Sequence, residues 1–250
     1  MKEQIKRFIS TKQFNMCMLG LIIFIIIFSV FVEIMKYNID GEQDVPFSIS
    51  KISAISTIEG YDVEDNQNKW NLKAEQNNDI YIYIDKNKEY DKQETIKNIK
   101  LSNFVVDKAP NKGTLELLKP DNKTENVIFR NIDDDIVNEI EYTGDINSDI
   151  KNMKIANQGG LIVFRYAIKN LGNYISNDSE EIEHSKLLEK LKVNNEDLKF
   201  HFSFDITINL DSGKKYITNI DINLPIGDVV NNGTQSEEKL NIENLKFKRI

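Results

Sequence analysis

Residues 197–225, "DLKFHFSFDITINLDSGKKYITNIDINLP", place an apolar side chain at every second position, the signature of a half-buried strand. On the first arm the apolar residues are Leu198, Phe200, Phe202, Phe204, Ile206, Ile208 and Leu210; on the second they are Tyr216, Ile220, Ile222 and Leu224. All are even-numbered, so facing pairs must sum to an even number, because a slip of one residue turns one arm's apolar face outward. A three-residue loop, Asp211-Ser212-Gly213, satisfies this and puts glycine where a type I turn with a bulge needs positive φ. The pattern predicts Phe204 opposite Ile220 and Phe202 opposite Ile222 in an antiparallel hairpin.

The other face of the first arm carries His201, Ser203 and Asp205, the residue types of a nucleophilic triad. Same-face neighbours on a strand are about 6.5–7 Å apart at the backbone, whereas a triad needs contacts near ~3 Å with histidine in the middle. Here serine is in the middle, and Lys199, Thr207 and Asn209 continue the same polar stripe. The triplet is expected to be the wet side of a strand. With no matched acid, base and nucleophile elsewhere, the chain is expected not to be an enzyme, an envelope hydrolase being the most remote reading.

Working outward, further strands are expected at Ile49–Ile58, Ile99–Val106, Thr114–Leu118, Val127–Asn131, Glu139–Thr143, Met153–Ala156 and Leu161–Lys169, punctuated by Pro110, Pro120 and Gly159-Gly160. "KWNLKAEQNNDIYIYID" (69–85) alternates through Trp70, Leu72 and Ala74, and resumes with Ile80, Ile82 and Ile84 opposite Tyr81 and Tyr83; Asn77-Asn78 between the halves reads as the turn of a hairpin. "DSEEIEHSKLLEKLKVNNE" (178–196) opens acidic, ends basic and gathers Ile182, Leu187, Leu188 and Leu191, which predicts one helix lying across a sheet. Arg165, among Val163, Phe164 and Tyr166, is expected to face water with its stem covering apolar surface, in preference to pairing with a carboxylate. The fold class is therefore α+β, predominantly antiparallel β, as a sandwich or curved sheet with one short helix.

The N-terminus differs from all this. Met16 to Val32 contains no charge, and apolar residues resume at Ile34 and Met35 after Glu33. A helix of ~20 residues spans about 30 Å, the thickness of the bilayer hydrocarbon. Lys2, Lys6, Arg7 and Lys12 precede the run, while Glu33, Asp40, Glu42 and Asp44 surround Lys36 behind it. The basic side stays in the cytoplasm. "VFVEIM" (30–35) offers no small-x-small cleavage site, so retention as a signal-anchor is expected. The domain plan is a cytoplasmic basic segment (1–15), a single transmembrane helix (16–35), a polar tether ending at Pro46 (36–46) and an extracytoplasmic β-rich domain (47–250), localised to the cell membrane. Cys17 is the sole cysteine, so the outer domain has neither disulfide nor thiolate.

The first 36 residues carry five basic and two acidic side chains, which leaves 27 basic and 38 acidic outside, a net charge of −11 that repels nucleic acid. Two histidines, His184 and His201, are too few to build a zinc or copper site without distant carboxylates. "DINSDI" from Asp145 starts like a calcium loop but has Ile150 at the sixth position and Ala156 at the twelfth, so it reads as a turn. Asp133-Asp134-Asp135 reads as an acidic loop, and Gly159-Gly160, with no lysine–serine pair after it, as a turn feeding a strand. No cofactor or metal is expected. Sequons at Asn122, Asn177 and Asn232 mark surface loops, and the wealth of Ile, Asn and Lys points to an AT-rich bacterial genome.

The stretches "NKWNLKAEQNNDIYIYIDKN" (68–87) and "NQGGLIVFRYAIKNLGNYISND" (157–178), with the anchor and the closing "NLKFKRI", resemble uncharacterised membrane-anchored proteins of clostridia and related low-GC Gram-positive bacteria. The resemblance implies a bacterial origin and transfers no active site, ligand or partner. The expected function is a non-catalytic binding or assembly module at the cell envelope, meeting a protein, lipid or wall polymer at a sheet edge or on the strand bearing Tyr81 and Tyr83. The alternative is a domain that handles lipid or another hydrophobic ligand, which requires a groove lined by apolar residues.

Overall fold

The computed structural model describes residues 12–40, 45–63, 69–121, 129–130, 138–145, 147–176, 181–238, 240 and 245–250. Two antiparallel sheets form the body. The strands are β1 (Phe47–Asp62), β2 (Asn71–Lys86), β3 (Ile96–Lys108), β4 (Thr114–Pro120), β5 (Phe129–Arg130), β6 (Glu139–Thr143), β7 (Gly159–Ile175), β8 (Phe200–Leu210), β9 (Lys215–Leu224), β10 (Thr234–Glu237) and β11 (Lys248–Arg249). A six-stranded sheet has the order β10-β1-β2-β7-β4-β5, and a five-stranded sheet the order β11-β9-β8-β3-β6. The body is thus β-rich, and its two layers make it a sandwich rather than a single curved sheet.

Each sheet turns one face inward because its strands alternate. Ile52, Ala54 and Ile58 of β1, Ile80, Ile82 and Ile84 of β2, and Phe164, Tyr166 and Ile168 of β7 meet Phe200, Phe202, Phe204, Ile206, Ile220 and Ile222 from the other sheet in one buried core. Rings interlock across the layers: Phe164 sits edge-on to Phe202 and Phe204 at 6.3 and 5.3 Å, and Tyr166 lies 4.5 Å from Phe202. The Tyr142 hydroxyl, from the five-stranded sheet, donates to the carbonyl of Val163 in the six-stranded one.

The β8–β9 hairpin has the predicted register, with Phe202 opposite Ile222 and Phe204 opposite Ile220. Gly213 has φ +86°, and its N–H donates to the Leu210 carbonyl at 3.0 Å, closing the turn. Most other strands lie where the alternation placed them. Three expectations are corrected.

The first concerns Asn77-Asn78, which is no turn: β2 runs unbroken through both residues. Asn78 points into the sandwich, where its amide nitrogen donates to Gln76 Oε1 (2.8 Å) and the Tyr166 carbonyl (3.2 Å), and its oxygen accepts from Ser56 Oγ (2.7 Å) and Gln76 Nε2 (2.9 Å). A satisfied polar cluster lets asparagine remain in a strand its intrinsic preference disfavours. Second, the described part of the segment 178–196, residues 181–196, does not form one helix. A 3-10 turn at His184–Lys186 leads into the single turn α2 (Leu187–Lys190), Lys192 has φ +54°, and a capping box at Asn194 starts another turn, α3 (Asn195–Leu198). Leu187 and Leu188 are both buried, which a surface helix across a sheet would not require of adjacent residues. Third, Met153–Ala156 contributes only an isolated parallel bridge, Thr143 to Lys154. A last helical turn, α4 (Val229–Asn232), precedes β10.

Gly159-Gly160 opens β7 itself, paired with Asp85 and Ile84. At Gly159 (φ +114°) a Cβ would lie 2.4 Å from the Ile84 carbonyl oxygen, so only glycine lets the strands approach there.

The N-terminal helix α1 covers Lys12–Asp40, so the first residues of the expected tether are helical. The described side chains from Met18 to Val32 are all exposed, with no apolar stripe buried against the sandwich. Among the described residues no helix is long and apolar enough to cross a membrane. Cys17, Glu33 and Met35 lie outside the described side chains, as do Asp133-Asp134-Asp135, Asn122 and Asn177.

Candidate functional site

The outer face of the six-stranded sheet holds the most concentrated polar chemistry among the described residues. Register builds it. Thr57, Asn77, Ala167 and Glu116 form one row across β1, β2, β7 and β4; Ile55, Asp79, Arg165 and Leu118 form the next. The small Thr57 and Ala167 flank Asn77 in its row. A recess on this face has a volume of about 280 Å³ and is lined by Tyr61, Glu75, Asn77, Leu118, Phe129, Arg165 and Lys169.

An irregularity shapes its far wall. β2 and β7 pair regularly up to Gln76 with Ile168, then shift so that Lys169, Asn170 and Leu171 stand opposite Glu75 alone. Asn170 takes φ +60° in this bulge. Bulges re-aim side chains; here Lys169 reaches Glu116, with Nζ–Oε2 2.6 Å.

Arg165 clamps Asp79 in a two-pronged pair, Nε–Oδ1 2.5 Å and Nη2–Oδ2 3.0 Å, and its guanidinium lies 4.6 Å from the Phe129 ring centre. Both partners are mostly buried, at 17% and 15% exposure. This corrects the expectation of a water-facing Arg165: the pair forms on the outer face, where neighbouring strands bring the residues into register. Tyr61 donates to Glu59. Burial first, and the Glu59 carboxylate second, push the Tyr61 phenol up to about 12. Glu75 is held above the usual carboxylate range by burial, against the opposing pull of Lys169 and Lys73.

At the floor, Asn77 is 1% exposed, and its Nδ2 has no hydrogen-bond partner. The Asn77 side chain is near enough to the Tyr61 phenol to offset part of that group's upward shift, yet not in hydrogen-bond geometry with it. A buried donor left dry costs about 1–3 kcal/mol. The nitrogen is itself fully covered, lying beneath the recess beside Tyr61.

Tyr81 and Tyr83, singled out in the sequence, lie on this same face, about 13 and 20 Å along β2 from Asn77 at ~3.3 Å per residue. Both are partly exposed. Tyr83 stands between Lys51 and Leu161, with the Lys51 ammonium 5.1 Å from its ring centre. Burial, aided by Asp79, raises the Tyr81 phenol.

His201, Ser203 and Asp205 occupy the outer face of the opposite sheet and take separate partners. His201 Nδ1 lies 3.1 Å from Asp107 Oδ2 and Nε2 lies 3.8 Å from Asp221 Oδ2, while Asp205 accepts from Asn103 (2.7 Å) and Asn219 (2.8 Å). Asp145 caps its own turn by accepting from the Asn147 N–H at 2.9 Å. Among the described residues no three His, Cys, Asp or Glu side chains gather as a metal site would require.

Sequence reasoning singled out the tyrosines and missed Asn77, Glu75, Tyr61 and Lys169. A usable signal was present: "EQNND" (75–79) is polar on both faces of a segment whose flanks alternate, which is how a strand with a buried polar network on one side and a polar recess on the other must read. No family model, curated protein or solved structure matches the chain.

Proposed function

We propose that this chain is a single-pass membrane protein whose extracytoplasmic sandwich is a non-catalytic binding module of the cell envelope, with the outer face of the six-stranded sheet as its working surface. The helix Lys12–Asp40, with Ile22, Phe24, Ile26, Ile27 and Phe31 each about half or more exposed, supports the anchor, since apolar side chains on all sides need an apolar medium. The basic flank before it supports a cytoplasmic N-terminus.

The observation that carries the binding reading is the joining of two features on one face: the partly exposed Tyr81–Tyr83 stripe and the recess over Asn77. Tyrosine gives large contact area at small entropic cost. A lipid-handling role calls for an apolar cavity. The sandwich interior between Phe164, Tyr166, Phe202 and Phe204 is instead filled by ring-on-ring packing.

The test is photocrosslinking in intact cells from a reactive residue at position 83, with position 203 on the opposite sheet as control. A discrete adduct from position 83 alone is the expected result. Equal labelling from both positions, or none from either, overturns the assignment of this face.

A further inference from the structure

We propose that the recess on the six-stranded sheet is a subsite for one primary alkylammonium group, such as the end of a lysine side chain, with the Glu75 carboxylate as its counter-ion and the Tyr61 ring against its alkyl stem. The inference deepens the binding-module reading and rests on it.

Register creates the need for a cation. Glu75 on β2 stands directly opposite Glu59 on β1, and like charges so placed oppose sheet pairing. Glu59 accepts from the Tyr61 hydroxyl. Glu75 has no such relief: it is 9% exposed, lines the recess and, among the described residues, has neither a hydrogen-bond nor an ion-pair partner. Lys169 is held by Glu116 at 2.6 Å, and Lys73 acts on Glu75 only through its field. A carboxylate so enclosed is completed by a positive group brought to it from outside.

Charge and shape then select among ligands. An anion meets Glu75, while Arg165 and Lys169, the cations lining the recess, are occupied by Asp79 and Glu116. A neutral ligand leaves the Glu59–Glu75 repulsion in place. A bare calcium ion needs about six to eight oxygens, and no three His, Cys, Asp or Glu side chains gather among the described residues. A guanidinium brings a rigid fork of donors, most of which Glu75 alone cannot accept, whereas an ammonium is compact and its donors rotate on a flexible stem. Its donors reach Glu75 and the Tyr61 oxygen, and its methylenes lie against Leu118 and the Tyr61 ring, which line the same walls. The volume of about 280 Å³ falls just below the range of about 300–1,000 Å³ for drug-sized ligands. It matches one side-chain end whose parent molecule continues over the adjoining face toward Tyr81.

The full-length protein in dodecyl maltoside is titrated calorimetrically, at fixed ionic strength, with n-butylammonium chloride and with Nα-acetyl-lysine methylamide. Both should bind saturably in the millimolar range. Tighter binding of the lysine derivative assigns the group to a protein partner, and equal or tighter binding of butylammonium assigns it to a free amine. Glu75→Gln should weaken both about tenfold or more; the change removes an enclosed charge that has no partner, so folding is retained and is checked by the unfolding midpoint. Tyr61→Leu should weaken both severalfold, and Ser203→Ala should leave them intact. No saturable heat with either amine at tens of millimolar, binding unchanged in Glu75→Gln, or calcium, methylguanidinium or acetate bound in preference to butylammonium overturns the proposal. Those failures leave the crosslink from position 83 standing, so loss of the ammonium subsite is distinguishable from loss of the binding face itself.

Discussion

Asn77 and Glu75 place the recess at odds with stability. A buried amide donor without a partner opposes folding, so Asn77→Val, which suits a strand and needs no partner, should raise stability by about 1–2 kcal/mol. Urea unfolding followed by Trp70 fluorescence reads this effect. Glu75 makes a parallel case with a pH signature. Its folded-state carboxyl titrates above its unfolded value because burial disfavours the charge. The group's stabilising contribution is therefore fully present below the ordinary carboxylate range, near ~4.3, and is lost as pH rises through the higher folded value. Glu75→Gln should consequently raise the unfolding midpoint at pH 7 and leave it nearly unchanged at pH 3–4. A shift of equal size at both pH values would show that the carboxylate is not desolvated. The Arg165–Asp79 clamp should behave oppositely: Arg165→Met strands a mostly buried carboxylate and should cost about 1–3 kcal/mol. Adding Asp79→Asn should recover part of that loss, a coupling measurable in a double-mutant cycle.

At the scale of elements, hairpin β8–β9 was legible because local and tertiary requirements agree: alternation fixes the faces, parity fixes the register, and Gly213 supplies the turn. No atom lies within 4 Å of a Cβ placed at Gly213, so Gly213→Val should cost about 1–2 kcal/mol through its φ of +86° alone, and Gly213→Asn markedly less; thermal melts of the two variants check this. Strand β2 misleads because the requirements conflict. Asn77-Asn78 favours a turn locally, and only partners far away in sequence reverse that preference: Ser56 on β1 and the Tyr166 carbonyl on β7. Such partners are invisible to periodicity. The segment 178–196 misleads for a related reason, since helical composition is present but burial of adjacent Leu187 and Leu188 and the positive φ at Lys192 break it into turns. The recess inherits both difficulties. Its residues come from five strands, β1, β2, β4, β5 and β7, brought side by side by a register that periodicity does not show.

For the whole molecule the deciding contrast is between two apolar populations. In the sandwich Ile52, Ile80, Ile82, Phe164, Phe202 and Phe204 are turned inward and nearly dry; in α1 Leu19, Ile22, Phe24, Ile26, Ile27 and Phe31 are each about half or more exposed. Burial of one such side chain is worth about 1.5–3 kcal/mol, so leaving a whole helix of them in water is untenable for an isolated chain. A bilayer would resolve this without a partner surface, and under the proposed anchoring the sandwich would be held close to the membrane. The anchoring claim has a direct energetic test in the full-length chain. Each acidic charge at the centre of a spanning helix opposes insertion by about 2.5–3.5 kcal/mol, so Ile25→Asp with Ile27→Asp should remove about 5–7 kcal/mol of insertion free energy. The variant should move from the carbonate-resistant membrane fraction to the soluble or aggregated fraction, whereas Ile25→Leu with Ile27→Leu should remain. If the aspartate pair stays carbonate-resistant, the helix is held by protein contacts and the membrane is not its solvent.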